Sequence, residues 1–192
     1  MYHSALKKNN ILSKYEPLSG PIKDSLENIV FKHDITDGVN LLLFKNADII
    51  YIEPAWKDGF EEFNKRAETK KKVSYNDYLI AIRETIIQLE LPTIVIMGKY
   101  MLNVLSPSST IQTKIHGYQC LAGLWNINFE EESKDNFSII NTLTLNYNCV
   151  LDFCCGCGNT GKIFKEHGKN FIMSDLNGRC VTYIATEIMG TK

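Results

Sequence analysis

Cys149-Val150-Leu151-Asp152-Phe153-Cys154-Cys155-Gly156-Cys157-Gly158-Asn159-Thr160-Gly161-Lys162 is the stretch that decides the fold. A short apolar run, Cys149 to Asp152, ends in a carboxylate and passes into a glycine-rich turn, so the segment reads as strand, turn and helix. Gly156, Gly158 and Gly161 let the chain turn tightly, approach a ligand closely and start a helix against a sheet. The first N–H groups of such a helix have no partner within it, so a nucleotide-like ligand is expected at its N-terminus. Downstream, Asn170-Phe171-Ile172-Met173 forms a second apolar strand ending at Asp175. An acidic residue about twenty positions after the glycine turn is placed to bind two ribose hydroxyls. Three glycines alone make only a turn; the ordered set of strand, turn, helix, strand and Asp is what points to a ligand.

Working outward, the chain alternates strand and helix signals. Residues 1–25 are polar, carry Pro17, Gly20 and Pro21, and predict an extended or loosely ordered arm ahead of a single domain over 26–192. Ile29 to His33 reads as a strand ending at Asp34, with Thr36-Asp37-Gly38 capping a short helix through Leu43. Ala47 to Ile52 is a nearly continuous apolar run of the buried parallel kind, and it stops at Glu53-Pro54-Ala55-Trp56 because Pro54 cannot continue a central strand. That tetrapeptide falls on a loop at a strand's carboxyl end, where open α/β sheets place their ligands. Residues 57–72 read as a polar loop with a basic cluster, Lys65, Arg66, Lys70, Lys71 and Lys72, which is either a solvated surface or a phosphate-contacting one. Tyr75 to Leu89 has helical spacing behind Ser74 as N-cap, and Thr93 to Met97 is a third apolar strand. Ile111–Ile115 and Tyr118–Phe129 predict two antiparallel edge strands joined near Gly117, Phe137–Leu145 a helix, and Arg179–Met189 a closing amphipathic helix. The pattern predicts an α/β, Rossmann-like, mostly parallel sheet with an antiparallel edge.

The 192 residues suit one sizeable core, and 44% apolar with 22% charged residues is ordinary for a globular chain. A formal net charge of −1 gives no general attraction to polyanions, so any basic surface is local. No apolar run reaches the ~20 residues of a membrane span, and Met1 to Lys8 lacks the apolar centre of a signal peptide, so no membrane role is expected. An intracellular, cytoplasmic site is expected, in the host cytoplasm if the source is viral. The six cysteines are compatible with a reducing compartment. Cys154, Cys155 and Cys157 offer thiols to zinc, but no second cysteine pair or paired histidines accompany them, and no metal is expected.

Val150 to Gly161 resembles motif I of S-adenosylmethionine-dependent DNA amino-methyltransferases, usually VLDPFCGSGTTG. Phe153 stands for its Pro, Cys154 for Phe, Cys157 for Ser and Asn159 for Thr, and the glycines all match. Glu53-Pro54-Ala55-Trp56 resembles motif IV, an Asp, Asn or Ser followed by two prolines and an aromatic residue. Here it precedes motif I, with Phe31-Lys32-His33-Asp34 before it as motif III and Lys134 to Asn148 leading into motif I. That is the circularly permuted order of the β class. The resemblance covers most of residues 28–188. It implies S-adenosylmethionine as cofactor, held by Asp34, Asp152, Cys154, Gly156, Gly158, Asn159, Thr160 and Asp175. It also implies DNA as partner and transfer to adenine N6 in preference to cytosine N4.

The chemistry calls for such residues. An exocyclic base amine is a poor nucleophile because its lone pair is delocalised, so its N–H hydrogens must be accepted as it attacks the methylsulfonium. The resemblance gives that task to Glu53 and the Pro54 carbonyl, and gives Trp56 the stacking of a flipped base. Glu53 is one methylene longer than the family's Asp, and Ala55 replaces its second proline. These departures leave open a lapsed, cofactor-fold binding subunit, or transfer to RNA, protein or a small molecule. With no room for a separate target-recognition domain, target choice falls to the basic segment, to residues 101–130, or to a partner subunit or homodimer. The clamp expected for phosphates is Lys65, Arg66, Lys70, Lys71 and Lys72 beside Trp56.

Overall fold

The computed structural model describes residues 11–18, 20–24, 27–38, 41–69, 71–129 and 135–191; Lys70 and the acidic stretch 130–134 lie outside them. The strands are β1 (Ile22–Lys23), β2 (Ile29–Lys32), β3 (Ile49–Ile52), β4 (Thr93–Met97), β5 (Ser109–Ile115), β6 (Tyr118–Trp125), β7 (Cys149–Asp152) and β8 (Asn170–Asp175), in one sheet ordered β1-β2-β8-β7-β3-β4-β6-β5. β2, β8, β7, β3 and β4 run parallel. β1 is antiparallel to β2 at one edge, and the β5–β6 hairpin is antiparallel to β4 at the other. The hairpin turns on His116 and Gly117, with φ 49° and 84°, the double left-handed turn that matches strand twist. The α/β, mostly parallel sheet with an antiparallel edge is the architecture the sequence predicts.

The helices are α1 (Leu41–Phe44), α2 (Lys57–Arg66), α3 (Tyr75–Leu89), α4 (Leu102–Leu105), α5 (Asn136–Asn146), α6 (Asn159–Glu166) and α7 (Gly178–Tyr183), which continues as a π-helical segment, Ile184–Met189. They cover both faces of the sheet. β3 explains why: its four side chains are fully buried and alternate sides. Ile49 and Tyr51 pack with Ile139, Leu143, Phe164 and Ile184, whereas Ile50 and Ile52 pack with Phe44, Leu79, Ile82 and Leu105. Each such aliphatic side chain contributes about 1.5–3 kcal/mol by leaving water. Among the described residues, no helix is long and apolar enough to cross a membrane.

Two expectations change. The polar loop of residues 57–72 is instead a helix through Arg66, because Phe60 and Ala67, two turns apart, bury a narrow stripe under a charged face. The single short helix before Leu43 is instead a 3-10 turn, Ile35–Asp37, capped by Asp34 and ended at Gly38 with φ 100°, followed separately by α1. The described part of the N-terminal segment makes contacts with α7. Arg179 donates to the carbonyls of Ser13 and Tyr15, and Leu18 N–H donates to the Gly178 carbonyl. A Cβ on Gly178 would lie 2.7 Å from the Leu18 carbonyl oxygen, so that glycine allows the close approach.

β7 lies at the centre. The chain leaves β7 through α6 to reach β8 on one side, and leaves β3 through α2 and α3 to reach β4 on the other. The carboxyl ends of β7 and β3 are therefore neighbours at the point where the strand order reverses, the position of ligand sites in open α/β sheets.

Candidate active site

The turn after β7 is shaped by its own backbone. Gly156 and Gly158 take φ 50° and 75°, the left-handed region that other residues enter at a cost. Their surroundings differ. A Cβ at Gly156 would meet nothing within 4 Å, whereas one at Gly158 would sit 2.8 Å from both Ile184 and Ile188. Gly156 thus borders open space, and Gly158 lets the start of α6 pack on the π-helical segment. Asp175, at the end of β8, ties the turn down: Gly156 N–H donates to its Oδ2 and Asn177 N–H to its Oδ1, each at 2.8 Å. Asp152, buried at the end of β7, accepts from Cys154 N–H at 3.0 Å.

The loop after β3 is shaped by side chains that come from elsewhere. Glu53 Oε1 accepts from the Tyr51 hydroxyl at 2.7 Å and from Asn136 Nδ2, at the start of α5, at 2.6 Å. Ala55 is held at both ends of its residue: its N–H donates to the Tyr78 hydroxyl at 3.1 Å, and its carbonyl accepts from the Tyr75 hydroxyl at 3.2 Å. Lys57 N–H donates to the Tyr100 hydroxyl at 3.1 Å. The Tyr78 oxygen also lies 3.4 Å from Cys154 Sγ in the glycine turn. Sequence reading placed Tyr75 and Tyr78 on a helix and gave them no role at the site. The available signal was two polar-tipped aromatic residues in the first turn of a helix soon after the Glu53 loop.

The two loops enclose a cleft of about 230 Å³. Asp34, Asp152, Cys154, Gly156, Asn159, Thr160 and Asp175, seven of the eight cofactor candidates, line it together with Glu53. Gly158 is the exception, spent on packing. Pro54 is buried and does not line the cleft, and Trp56 lies against Tyr100, rings 6.5 Å apart and at 80°. Of the basic cluster, only Lys71 reaches the cleft among the described residues, and its Nζ bonds Asp37 at 2.6 Å and Thr36 at 2.7 Å. Arg66 pairs with Glu62 along α2, while Lys65 and Lys72 are exposed away from the cleft. Phe60, Phe63 and Asn64 of α2 and Tyr78 of α3 form the wall facing the glycine turn, residues the sequence did not single out.

The cleft is acidic. Asp34, Glu53, Asp152 and Asp175 line it against the single described cation, Lys71. Burial pushes the Asp152 carboxyl up to about 8, and the neighbouring Glu53 and Asp175 charges add to this while hydrogen bonds from Thr160 and the Cys154 amide oppose it. Burial likewise raises Asp175 against the pull of its two backbone amides. A bound cation would relieve that strain. His33, also on the cleft wall, has Nε2 buried with no hydrogen-bond partner among the described residues, and burial lowers its pKa towards the neutral imidazole. The six cysteines are unbridged, and among the described residues no group of three or more His, Cys, Asp or Glu side chains is placed to hold a metal.

No protein-family model and no curated protein sequence matches the chain. Solved structures do match by shape. M1.HpyAVI aligns over 83% of this chain and 97% of its own, with TM-score 0.51 and 12% identity. TTHA0409 of Thermus thermophilus, assigned as a DNA modification methylase, aligns over 84% and 95% with TM-score 0.55 and 12% identity. The chain shares its fold with both. TTHA0409 has also been crystallised with S-adenosyl-L-methionine, aligning over 84% of this chain and 94% of its own at TM-score 0.52 and 11% identity, and M1.HpyAVI likewise as a complex with that cofactor.

Proposed function

We propose that this chain is an S-adenosylmethionine-dependent DNA amino-methyltransferase of the circularly permuted β class, acting on adenine N6 in preference to cytosine N4. The observation that carries the reading is the meeting, at the reversal of strand order, of the glycine turn after β7 and the Glu53-Pro54-Ala55-Trp56 loop after β3. β3 precedes β7 in the chain yet lies beside it in the sheet, which is the relation a permuted motif order requires.

The residues fit the cofactor. Gly156 borders open space, and carboxylates raised by burial, Asp152 further by the charges of Glu53 and Asp175, favour a cationic ligand. Bound there, S-adenosylmethionine would supply a methyl group made electrophilic by its positively charged sulfur. Asp175 has both oxygens aligned by backbone amides and is assigned the ribose hydroxyls; each oxygen keeps a lone pair for a further donor. Asp34, Asp152, Cys154, Asn159 and Thr160 line the remainder of the cofactor site, and Gly158 supports it from behind.

Glu53 is the proposed acceptor of the target amine's hydrogen. Two donors hold its Oε1, so the ligand-facing role falls to Oε2. The Pro54 carbonyl is the proposed second acceptor. Accepting both hydrogens lets the nitrogen lone pair leave conjugation and attack, an interaction that strengthens as the bond forms. Trp56, with Lys65, Arg66, Lys71 and Lys72 on the segment that follows it, is the proposed nucleic-acid contact. A second reading, transfer to a planar amine other than a DNA base, is favoured by the scarcity of cations at the cleft among the described residues, where Lys71 is already bonded to Asp37.

Incubation with methyl-labelled S-adenosylmethionine and a panel of duplex DNA, single-stranded DNA, RNA and protein tests the proposal. Label on base amines of duplex DNA is the expected result. Label only on RNA or protein would select the second reading, and cofactor binding without transfer to any substrate would select a lapsed, binding subunit.

A further inference from the structure

Resting on that reading, we infer that Tyr78 is a positioning residue that sets the Glu53 loop in register with the glycine turn, replacing the constraint that a proline at position 55 would give. Three contacts carry the inference. The Tyr78 hydroxyl accepts from Ala55 N–H at 3.1 Å, its oxygen lies 3.4 Å from Cys154 Sγ, and Tyr75 on the same helical turn donates to the Ala55 carbonyl at 3.2 Å. The first two join loops that follow different strands. The hydroxyl accepts from Ala55 and still has both a proton and a lone pair for the Cys154 thiol, in which contact either atom can donate, so both contacts are made at once.

A proline at 55 would fix its own φ and restrict Pro54 before it, and it would carry no N–H. Ala55 gives up that rigidity and gains a donor. The donor is used: Tyr78 bonds it from a helix whose place is fixed by Ser74, capping Asp77 N–H at 3.1 Å, and by the buried Leu79 and Ile82. Tyr75, Tyr78 and Phe60 pack as a set, edge-on and tilted, with Phe60 centroid distances of 5.2 Å and 4.9 Å, so the two hydroxyls are aimed by packed rings. Pro54, whose carbonyl is the proposed second acceptor, is held between Glu53, fixed by Tyr51 and Asn136, and the clamped Ala55. Side-chain hydrogen bonds here do what a second ring would do covalently.

The consequence is a reversal of sign. With Tyr78 present, Ala55→Pro removes the N–H and puts a ring carbon where the hydroxyl sits, which is unfavourable. With Tyr78→Phe, the Ala55 N–H loses its acceptor, and Ala55→Pro then removes the unpaired donor and restores the restraint. Four proteins test this: the parent, Ala55→Pro, Tyr78→Phe and the double variant. In each, melting temperature, affinity for S-adenosylhomocysteine, and kcat and KM for methyl transfer are measured. Tyr78→Phe is expected to lower kcat by roughly ten- to a hundredfold, as a loop displaced by a fraction of an ångström does, with KM for the cofactor changed by less than about threefold. Ala55→Pro is expected to lower melting temperature and kcat in the parent and to raise both in the Tyr78→Phe background. Effects of the same sign in both backgrounds, or Tyr78→Phe raising KM without lowering kcat, would overturn the inference. Sign reversal in melting temperature from a parent that transfers no methyl group would uphold the clamp and overturn the functional reading instead.

Discussion

The two loops at the reversal of strand order are built by opposite means. After β7, the chain shapes itself: Gly156 and Gly158 take left-handed conformations, and backbone amides bind Asp175. After β3, the segment Glu53 to Trp56 has no glycine, and Tyr51, Tyr75, Tyr78, Tyr100 and Asn136 reach in from four other parts of the chain to hold it. A loop held by backbone fails by unfolding or by losing its ligand. A loop held by distant side chains fails by moving slightly, which leaves the fold intact and slows the chemistry.

The largest expected effect lies on the second loop. Glu53→Ala removes the proposed acceptor, whose contact would grow in the transition state, so on that proposal methyl transfer should fall by at least about a hundredfold while cofactor affinity stays nearly constant. Steady-state transfer and calorimetry on the same preparation check this, and an unchanged rate would end the comparison in its present form. On the first loop, Gly158→Val places a branched side chain in the left-handed region against Ile184 and Ile188 and should cost about 3 kcal/mol of stability by denaturant unfolding. Gly156→Ala, with open space around it, should cost only about 1 kcal/mol. Equal costs would show that the two glycines do not divide the work as described.

Acidity sharpens the comparison further. The Asp152 carboxyl is pushed up to about 8 from an ordinary 3.8, so the folded form holds a proton that the unfolded chain releases. Its contribution is fully present below about pH 4 and is lost as pH rises through 8, because folding then forces an uncompensated charge into the cleft. Ligand-free protein should therefore lose on the order of 4 kcal/mol between about pH 5 and about pH 9, and Asp152→Asn should lose less. A parent and variant with parallel pH curves would contradict the assignment. The smallest effect is at the surface: Lys65→Glu, Arg66→Glu and Lys72→Glu should change stability by no more than about 0.5 kcal/mol each. They should weaken binding to all DNA sequences alike and flatten its salt dependence, and an unchanged salt slope would return these residues to ordinary solvated surface.

How much was legible in the sequence follows the same division. β3, β4, β7 and β8 announce themselves because strands buried on both faces are continuous apolar runs, and the glycine turn because its glycines have a backbone reason. α2 was hidden because its buried side, Phe60 and Ala67, is narrow and its remaining face carries charges typical of a loop. The carboxylates of the cleft were readable as strand-ending acids. Tyr78 and Asn136 were not, since 23 and 83 positions separate them from the residues they hold, and nothing local marks a hydroxyl or amide as aimed at a loop. Trp56 illustrates the converse: a motif-like position fixes a residue's place in the chain, while its ring lies edge-on to Tyr100, 44 positions away.

Calorimetric titration of S-adenosylmethionine into the parent and into Asp175→Ala is the most direct test of the central claim, that the cleft beside the glycine turn receives this cofactor. Asp175 is bonded to Gly156 and Asn177, so its loss removes the proposed ribose acceptor and loosens the turn together. The account predicts one saturable site in the parent and affinity weaker by about 1–3 kcal/mol, roughly ten- to a hundredfold, in a variant that remains folded. No binding by the folded parent, or equal affinity in Asp175→Ala, would contradict it.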